Sequence, residues 1–358
     1  MISFLILGLI TTFLISYILI PIIRKMAIKI NLVDKPNARK VHTNSVPLVG
    51  GIAIFISSSI ALSLMLPFNM DFFSNMNIYF AVTTLLIVGV IDDKFDLRAS
   101  LKLAIQLVLA HFIIIQGIKI ESLQGLFGVY VMSDWMQYLL TLIVITGVVN
   151  AFNLMDGIDG LAAGLAILGF VIYTIIALLT NQYTLALIFI SYIGGLLAFL
   201  KYNLSKNQKV FMGDAGSLIM GFILVVAGIS MIQTAQNSSL ISIVTLEVVS
   251  VLIIPVFDAL RVFRKRIKSG KSPFSADKTH LHHLILSAGA KHKSATLSII
   301  AIMALILIIG FVSYQLIGLT LSISLMLLLF YLITSMLQFH NHLNFWKNRI
   351  HKIENINI

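Results

Sequence analysis

Asp92 and Asp93 stand side by side at the end of an apolar stretch, with Lys94, Arg98 and Lys102 close behind. Two adjacent carboxylates at a membrane boundary repel each other and lose hydration, so a divalent cation or a lysine has to offset them. The plainer reading is a solvated loop that ends a helix. A second acidic group, Asn153-Leu154-Met155-Asp156-Gly157-Ile158-Asp159-Gly160, interrupts hydrophobic sequence and contains no Lys or Arg, so its acids lack a local counter-charge. Asn153 and Asp156 share a helical face at their spacing, and Gly157 and Gly160 permit close approach of a ligand. An acidic turn between helices is the alternative. In Phe211-Met212-Gly213-Asp214-Ala215-Gly216-Ser217, Asp214 and Ser217 suit a helix N-cap. A helix N-terminus also attracts phosphate. A carboxylate there can hold Mg²⁺, which takes one or two carboxylates plus phosphate oxygens.

His280, His282 and His283 fall within four residues. They suggest zinc at first sight, but the H-x-x-x-H spacing with its glutamate is absent and the chain has no cysteine. Imidazoles that contact phosphate or shuttle a proton fit better. Upstream of them, Arg261, Arg264, Lys265, Arg266 and Lys268 form a run that topology anchoring alone would explain. The segment 31–42 adds Lys35, Arg39, Lys40 and His42, suited to anionic lipid, to nucleotide phosphate or to anchoring.

The elements that must position these groups are membrane helices. The chain is 59% hydrophobic and 11% charged with a mean hydropathy of +1.01, whereas soluble domains carry roughly 25% charged residues. A span needs ~20 apolar residues. About eleven candidates can be drawn, at 2–23, 46–66, 77–91, 101–117, 135–152, 161–179, 184–200, 217–234, 240–260, 294–312 and 319–338. Continuous rather than alternating apolarity favours helices over a barrel. If the N-terminus is outside and the C-terminus cytoplasmic, all of the 25 Lys and Arg residues except Lys119 fall on the inner side, as retention of positive charge demands. That bias accounts for the net charge of +11 without nucleic acid, for which no aromatic or basic-tail pattern is present. The expectation is an all-α polytopic membrane protein with a single domain over 1–338. Its inner connections are 24–45, 92–100, 153–160, 201–216 and 261–293. The tail 339–358 reads as a short surface helix, with disorder as the alternative. His111 and Glu247 are ionisable groups inside spans, and Pro255 predicts a bend in the ninth.

The order of these motifs is more specific than any one of them. The series V-D-K-P-N-x-R-K-x-H, P-L-V-G-G, D-D-x-x-D, N-x-x-D-G-x-D-G, F-M-G-D-A-G-S and S-P-F-S-x-D-x-x-H-x-H-H-L, covering about residues 31–290, resembles the polyprenyl-phosphate N-acetylhexosamine-1-phosphate transferases, and within them the WecA/TagO branch. The resemblance implies UDP-N-acetylglucosamine (UDP-GlcNAc) and undecaprenyl phosphate as substrates, UMP as by-product and Mg²⁺ or Mn²⁺ as cofactor. It also implies an eleven-helix fold, often dimeric, in the bacterial cytoplasmic membrane. The active site would face the cytoplasm and initiate a cell-surface glycan such as O-antigen, common antigen or teichoic acid. By motif, Asp214 would bind the metal, with Asp156 as a further ligand. Asp92 and Asp93 would lie beside the lipid phosphate. Asn153, Asp156 and Asp159 would line the nucleotide pocket, with Phe211 near the uracil. His280, a catalytic candidate, would meet the diphosphate together with His282 and His283. Lys40, His42, Arg98 and Lys102 complete the substrate-binding candidates. The related phospho-MurNAc-pentapeptide transferases share several motifs, but their histidine run ends in an acid. Here His283 is followed by Leu284, which argues against the peptidoglycan precursor and leaves other UDP-N-acetylhexosamines open. In-line attack by the lipid phosphate and a phospho-aspartate route are both compatible with these residues. A transporter of lipid-linked substrates is the rival from another class, but it would carry its ionisable groups at mid-membrane.

Overall fold

The computed structural model describes residues 2–34, 45–65, 76–272 and 279–354, with side chains as far as Trp346. Lys40 and His42 lie outside the described residues. Apolar segments that leave water must satisfy their own backbone hydrogen bonds, and the chain is accordingly almost entirely helical. The helices are α1 (Ile2–Lys29), α2 (Gly50–Met65), α3 (Met76–Phe95), α4 (Ala99–Ile115), α5 (Asp134–Met155), α6 (Leu161–Leu179), α7 (Tyr183–Asn203), α8 (Gly213–Thr234), α9 (Ile241–Lys268), α10 (Leu281–Ser287) and α11 (His292–Glu354).

Among the described residues, seven helices are long and apolar enough to cross a membrane: α1, α5 to α9 and α11. The apolar helices α2 and α4 are shorter. Each expected apolar stretch lies mainly on a helix, but two of them, 294–312 and 319–338, share α11. That helix is broken only at Gly318, where φ is 76° and ψ is 179°. The tail expected as a separate helix instead continues α11. Pro255 lies inside α9, which runs on to Lys268. Helix also consumes more of the connections than expected. The 201–216 segment reduces to 204–212, and the basic run 261–268 belongs to α9.

One departure from an all-helical chain is a pair of two-residue strands, β1 (Val33–Asp34) and β2 (Val46–Pro47), paired antiparallel. Directly after β2, Leu48 bridges Phe211. The Phe211 N–H donates to the Pro47 carbonyl at 2.9 Å, and the Phe211 carbonyl accepts from Gly50 N at 2.9 Å. These bonds tie the entry of α2 to the entry of α8.

Helix α8 is the hub. Its apolar window is 89% buried, against 22% for peripheral α1, and it packs on α2, α3, α5, α6 and α9. Small residues allow the closest of these contacts. A Cβ on Gly51 would collide with the backbone of Gly216, and one on Gly89 with Ala215. Both contacts are in the first turn of α8, so α2 and α3 press directly on the turn that carries Asp214. Large apolar side chains such as Leu14, Val108, Ile143, Ile308 and Leu328 are exposed on the outer helices, as expected of a surface that meets lipid.

Candidate active site

The acidic motifs converge at one end of this bundle. Asp92 and Asp93 occupy the last turn of α3, Asp156 ends α5, and Asp214 opens α8. Lys102, in the first turn of α4, links two of these motifs. Its Nζ donates to Asp92 Oδ2 at 2.6 Å and to Asp214 Oδ2 at 3.1 Å. The other oxygen of Asp92 accepts the Leu97 N–H at 2.8 Å. The lysine thus supplies the offset that adjacent carboxylates require.

Asp93 has a different task. Its carboxylate accepts the backbone N–H of Asp214 at 2.8 Å and of Ala215 at 3.4 Å. These are orphan donors of the α8 N-terminus, which carries partial positive charge. The cap of α8 therefore comes from another helix, and Met212 at the N-cap position makes no side-chain cap. The N-cap expectation for Asp214 and Ser217 is corrected accordingly. Both lie inside the first turn, and Ser217 Oγ donates back to the Gly213 carbonyl at 3.2 Å. Asn153 joins the same turn, its Nδ2 donating to Ser217 Oγ at 2.9 Å.

Asp156 is exposed at this end of the bundle, and its side chain has no hydrogen-bond or ion-pair partner among the described residues. Protein crowding its other sides removes water, and Asp214 and Asp159 add negative field, so its carboxyl is pushed up to about 7. An unpartnered carboxylate beside Asp214 is a donor set that calls for a cation. Among the described residues, however, no three acidic or histidine side chains are gathered closely enough to hold a metal by themselves. That fits Mg²⁺, which takes few protein ligands and completes its shell with substrate phosphates and water, and it does not fit a structural zinc site.

Asp159 is neutralised from outside its own segment. Lys209 Nζ lies 2.6 Å from Asp159 Oδ2 and 5.3 Å from the centre of the Phe211 ring. Lys209 therefore unites two nucleotide-pocket candidates and was not singled out from sequence, although a lysine two residues before Phe211 was a visible signal. Arg98 precedes α4, is exposed, and makes no ion pair among the described residues.

The histidines approach from the other flank. His282 is buried, and its ring fills the space where a Cβ of Gly157 would sit, so this segment touches the Asp156 turn. Burial, reinforced by the neighbouring histidines, holds the His282 imidazole down at about 3. It is therefore neutral, and its Nδ1 has no hydrogen-bond partner among the described residues. The His283 ring lies 4.2 Å from it, centre to centre, tilted by 45°. His280 is also buried, and both ring nitrogens have neighbours: Nδ1 is 2.8 Å from Asp258 Oδ2, and Nε2 is 3.5 Å from Arg266 Nη2. Asp258 escaped the sequence reading, although an acid within an apolar span is the same signal that marked His111 and Glu247. His111 bonds Tyr138 Oη at 2.9 Å on the neighbouring helix α5, at a distance from this cluster.

Residues 75–232 match the sequence profile of glycosyl transferase family 4. The chain is 36% identical over 314 residues to the undecaprenyl-phosphate alpha-N-acetylglucosaminyl 1-phosphate transferase of Yersinia pestis, covering 86% of this chain and 84% of that protein. It is 34% identical over 309 residues to the protein of the same name from Escherichia coli K12, covering 84% and 82%. The "Probable undecaprenyl-phosphate N-acetylglucosaminyl 1-phosphate transferase" of Bacillus subtilis is 35% identical over 289 residues, covering 79% and 77%.

The chain belongs to glycosyl transferase family 4. The motif order had pointed to the same polyprenyl-phosphate N-acetylhexosamine-1-phosphate transferases. The matched region of this family 4 chain includes Asp92, Asp93, Lys102, Asn153, Asp156, Asp159, Lys209, Phe211 and Asp214, whereas the histidine segment lies beyond it.

Proposed function

We propose that this chain transfers N-acetylglucosamine 1-phosphate from UDP-GlcNAc to undecaprenyl phosphate, giving undecaprenyl-diphospho-N-acetylglucosamine and UMP. The observation that carries this reading is the Lys102 bridge between Asp92 and Asp214. It joins two separated motifs into one acid-rich cluster at the end of the helices. The names of the relatives supply the lipid acceptor and the transferred group, and the UDP carrier follows from the motif resemblance.

In this reading a phosphate oxygen of the lipid attacks the β-phosphorus of the UDP-sugar. A new P–O bond forms, the bond to the bridging oxygen breaks, and that oxygen leaves on UMP. Asp214 and Asp156 would hold a divalent cation, which when bound neutralises the diphosphate charge. Asp92 is held by Lys102 and Leu97, so its part is to place the ammonium where a lipid phosphate can meet it. Asp93, spent on the backbone of α8, fixes Asp214 in position. Lys209, Asp159 and Phe211 form the edge suited to the nucleotide. Phosphoryl transfer asks mainly for such positioning and charge stabilisation.

The site end carries nearly all the Lys and Arg residues, so it faces the cytoplasm of a bacterial inner membrane. The eleven apolar stretches then all cross, leaving the N-terminus outside. Purified protein in bilayers should release UMP from UDP-GlcNAc only when Mg²⁺ and undecaprenyl phosphate are both present. Full turnover in EDTA would remove the cation from the scheme. UMP release without the lipid would remove the acceptor.

A further inference from the structure

The carboxylate of Asp258 has no solvent exposure, and each of its oxygens is committed to the histidine segment. Oδ1 accepts the Leu281 N–H at 3.0 Å and Arg261 Nη2 at 2.6 Å, and the same Arg261 nitrogen donates to the Thr279 carbonyl at 2.6 Å. Oδ2 faces His280 Nδ1 at 2.8 Å. Because Arg266 presents an N–H to Nε2 from 3.5 Å, the partners assign the proton to Nδ1, which donates to Asp258. The orientation passes along the row. The His280 and His282 rings are parallel within 6° at 5.9 Å, and His282 abuts Gly157 beside Asp156; His283 leans on His282 with its ring tilted by 45°.

We infer that Asp258 is a positioning residue for the transfer reaction: it fixes the tautomer and angle of His280, and through the stacked row it sets the Asp156 turn against Asp214. The reaction is the one proposed above, and the inference rests on that reading. A buried carboxylate that orients an imidazole without touching substrate is a recurrent device. Burying it also demands this degree of pairing, since an uncompensated charge there is costly.

Asp258→Asn isolates the contact. The amide oxygen keeps the Leu281 and Arg261 bonds, while its NH₂ meets the protonated Nδ1 and forces the ring to the other tautomer or out of line. The expected loss in kcat is on the order of 100-fold, with the KM for undecaprenyl phosphate within about twofold. The thermal unfolding temperature should also fall, because Arg261 loses its counter-charge, so kinetics are compared at a temperature where both proteins are folded. In a His280→Gln background the same substitution should cost little more, because both changes break one link. Independently of turnover, ¹⁵N-histidine spectra in bilayers should show one of the nine imidazoles changing tautomer in Asp258→Asn. That signal should be absent in His280→Gln. Full activity in Asp258→Asn, multiplicative losses in the double variant, or an unchanged tautomer overturns the inference. A wild-type protein that fails to release UMP while the tautomer switches as expected removes the proposed reaction and leaves the positioning geometry standing.

Discussion

Asp156 and Lys102 show how much chemistry a single side chain's surroundings decide. Four carboxylates, Asp92, Asp93, Asp156 and Asp214, sit in one cluster, and three have a donor: Lys102 for Asp92 and Asp214, the α8 backbone for Asp93. Asp156 is left open, with its carboxyl raised to about 7. A cation and a proton compete for the same oxygens, so cation affinity should climb as pH rises towards 7 and level off above it. Each unit below that point should raise the Mg²⁺ concentration for half-maximal activity by up to about tenfold. In Asp156→Asn the pH dependence should flatten and the requirement for Mg²⁺ increase. A wild-type Mg²⁺ requirement that stays constant from pH 5.5 to 8 in titrations of UMP release would contradict the assignment. For the cation-free fold the sign is opposite. A raised carboxyl pKa favours the protonated form, so this contribution to stability is complete below the ordinary carboxylate range and is lost as pH rises to about 7. The identities of these acids were legible in the sequence because acids that punctuate apolar runs stand out. Their partners were not. Lys102 meets Asp214 across 112 positions, and no local pattern encodes a contact of that span.

The first turn of α8 depends on residues brought to it by other helices. Gly213 sits at φ +74°, and a Cβ there would run into Asp93 Oδ2. Gly128 has a comparable φ of +78° with nothing within 4 Å, so it serves as a control for the backbone cost alone. Gly128→Ala should lose only the left-handed penalty, about 1–2 kcal/mol, without effect on catalysis. Gly213→Ala should lose more in thermal unfolding and also lower kcat steeply, because it pushes Asp93 off the Asp214 and Ala215 amides. Equal behaviour of the two variants would mean that the cap from α3 does not control Asp214. The positions of the helices were readable from hydropathy, since a ~20-residue apolar run has few other solutions. Their ends were less readable. The basic run 261–268 stays helical as the continuation of α9, and the expected tail helix merges with α11. Charge drives side chains towards water and does not by itself stop a helix. The strands at 33–34 and 46–47 were missed because two-residue pairings carry no periodicity.

At the scale of the whole molecule, one substrate of the proposed reaction is confined to the bilayer and the other to water, so the cluster has to lie at a boundary between the two. Which boundary is set by charge. The connection 204–212 and the described residues 279–280 border the cluster, and the helix ends beside them carry Lys201, Arg261, Arg264, Lys265 and Lys268, whereas 235–240, at the far ends of α8 and α9, has no Lys or Arg. If α8 and α9 both cross the membrane, Asn207 and Ser269 lie on one side and Ser239 on the other. The chain has no cysteine, so single Cys variants can be labelled in an otherwise wild-type protein. A maleimide that cannot cross the inner membrane should modify Ser239→Cys and Ser133→Cys in spheroplasts. Asn207→Cys and Ser269→Cys should react only after the membrane is opened. Labelling of all four from outside would show that the helices do not separate these positions. The inverse pattern would put the carboxylates on the side where UDP-sugars are absent, and the transfer reaction would then lose its donor whatever the geometry of the site.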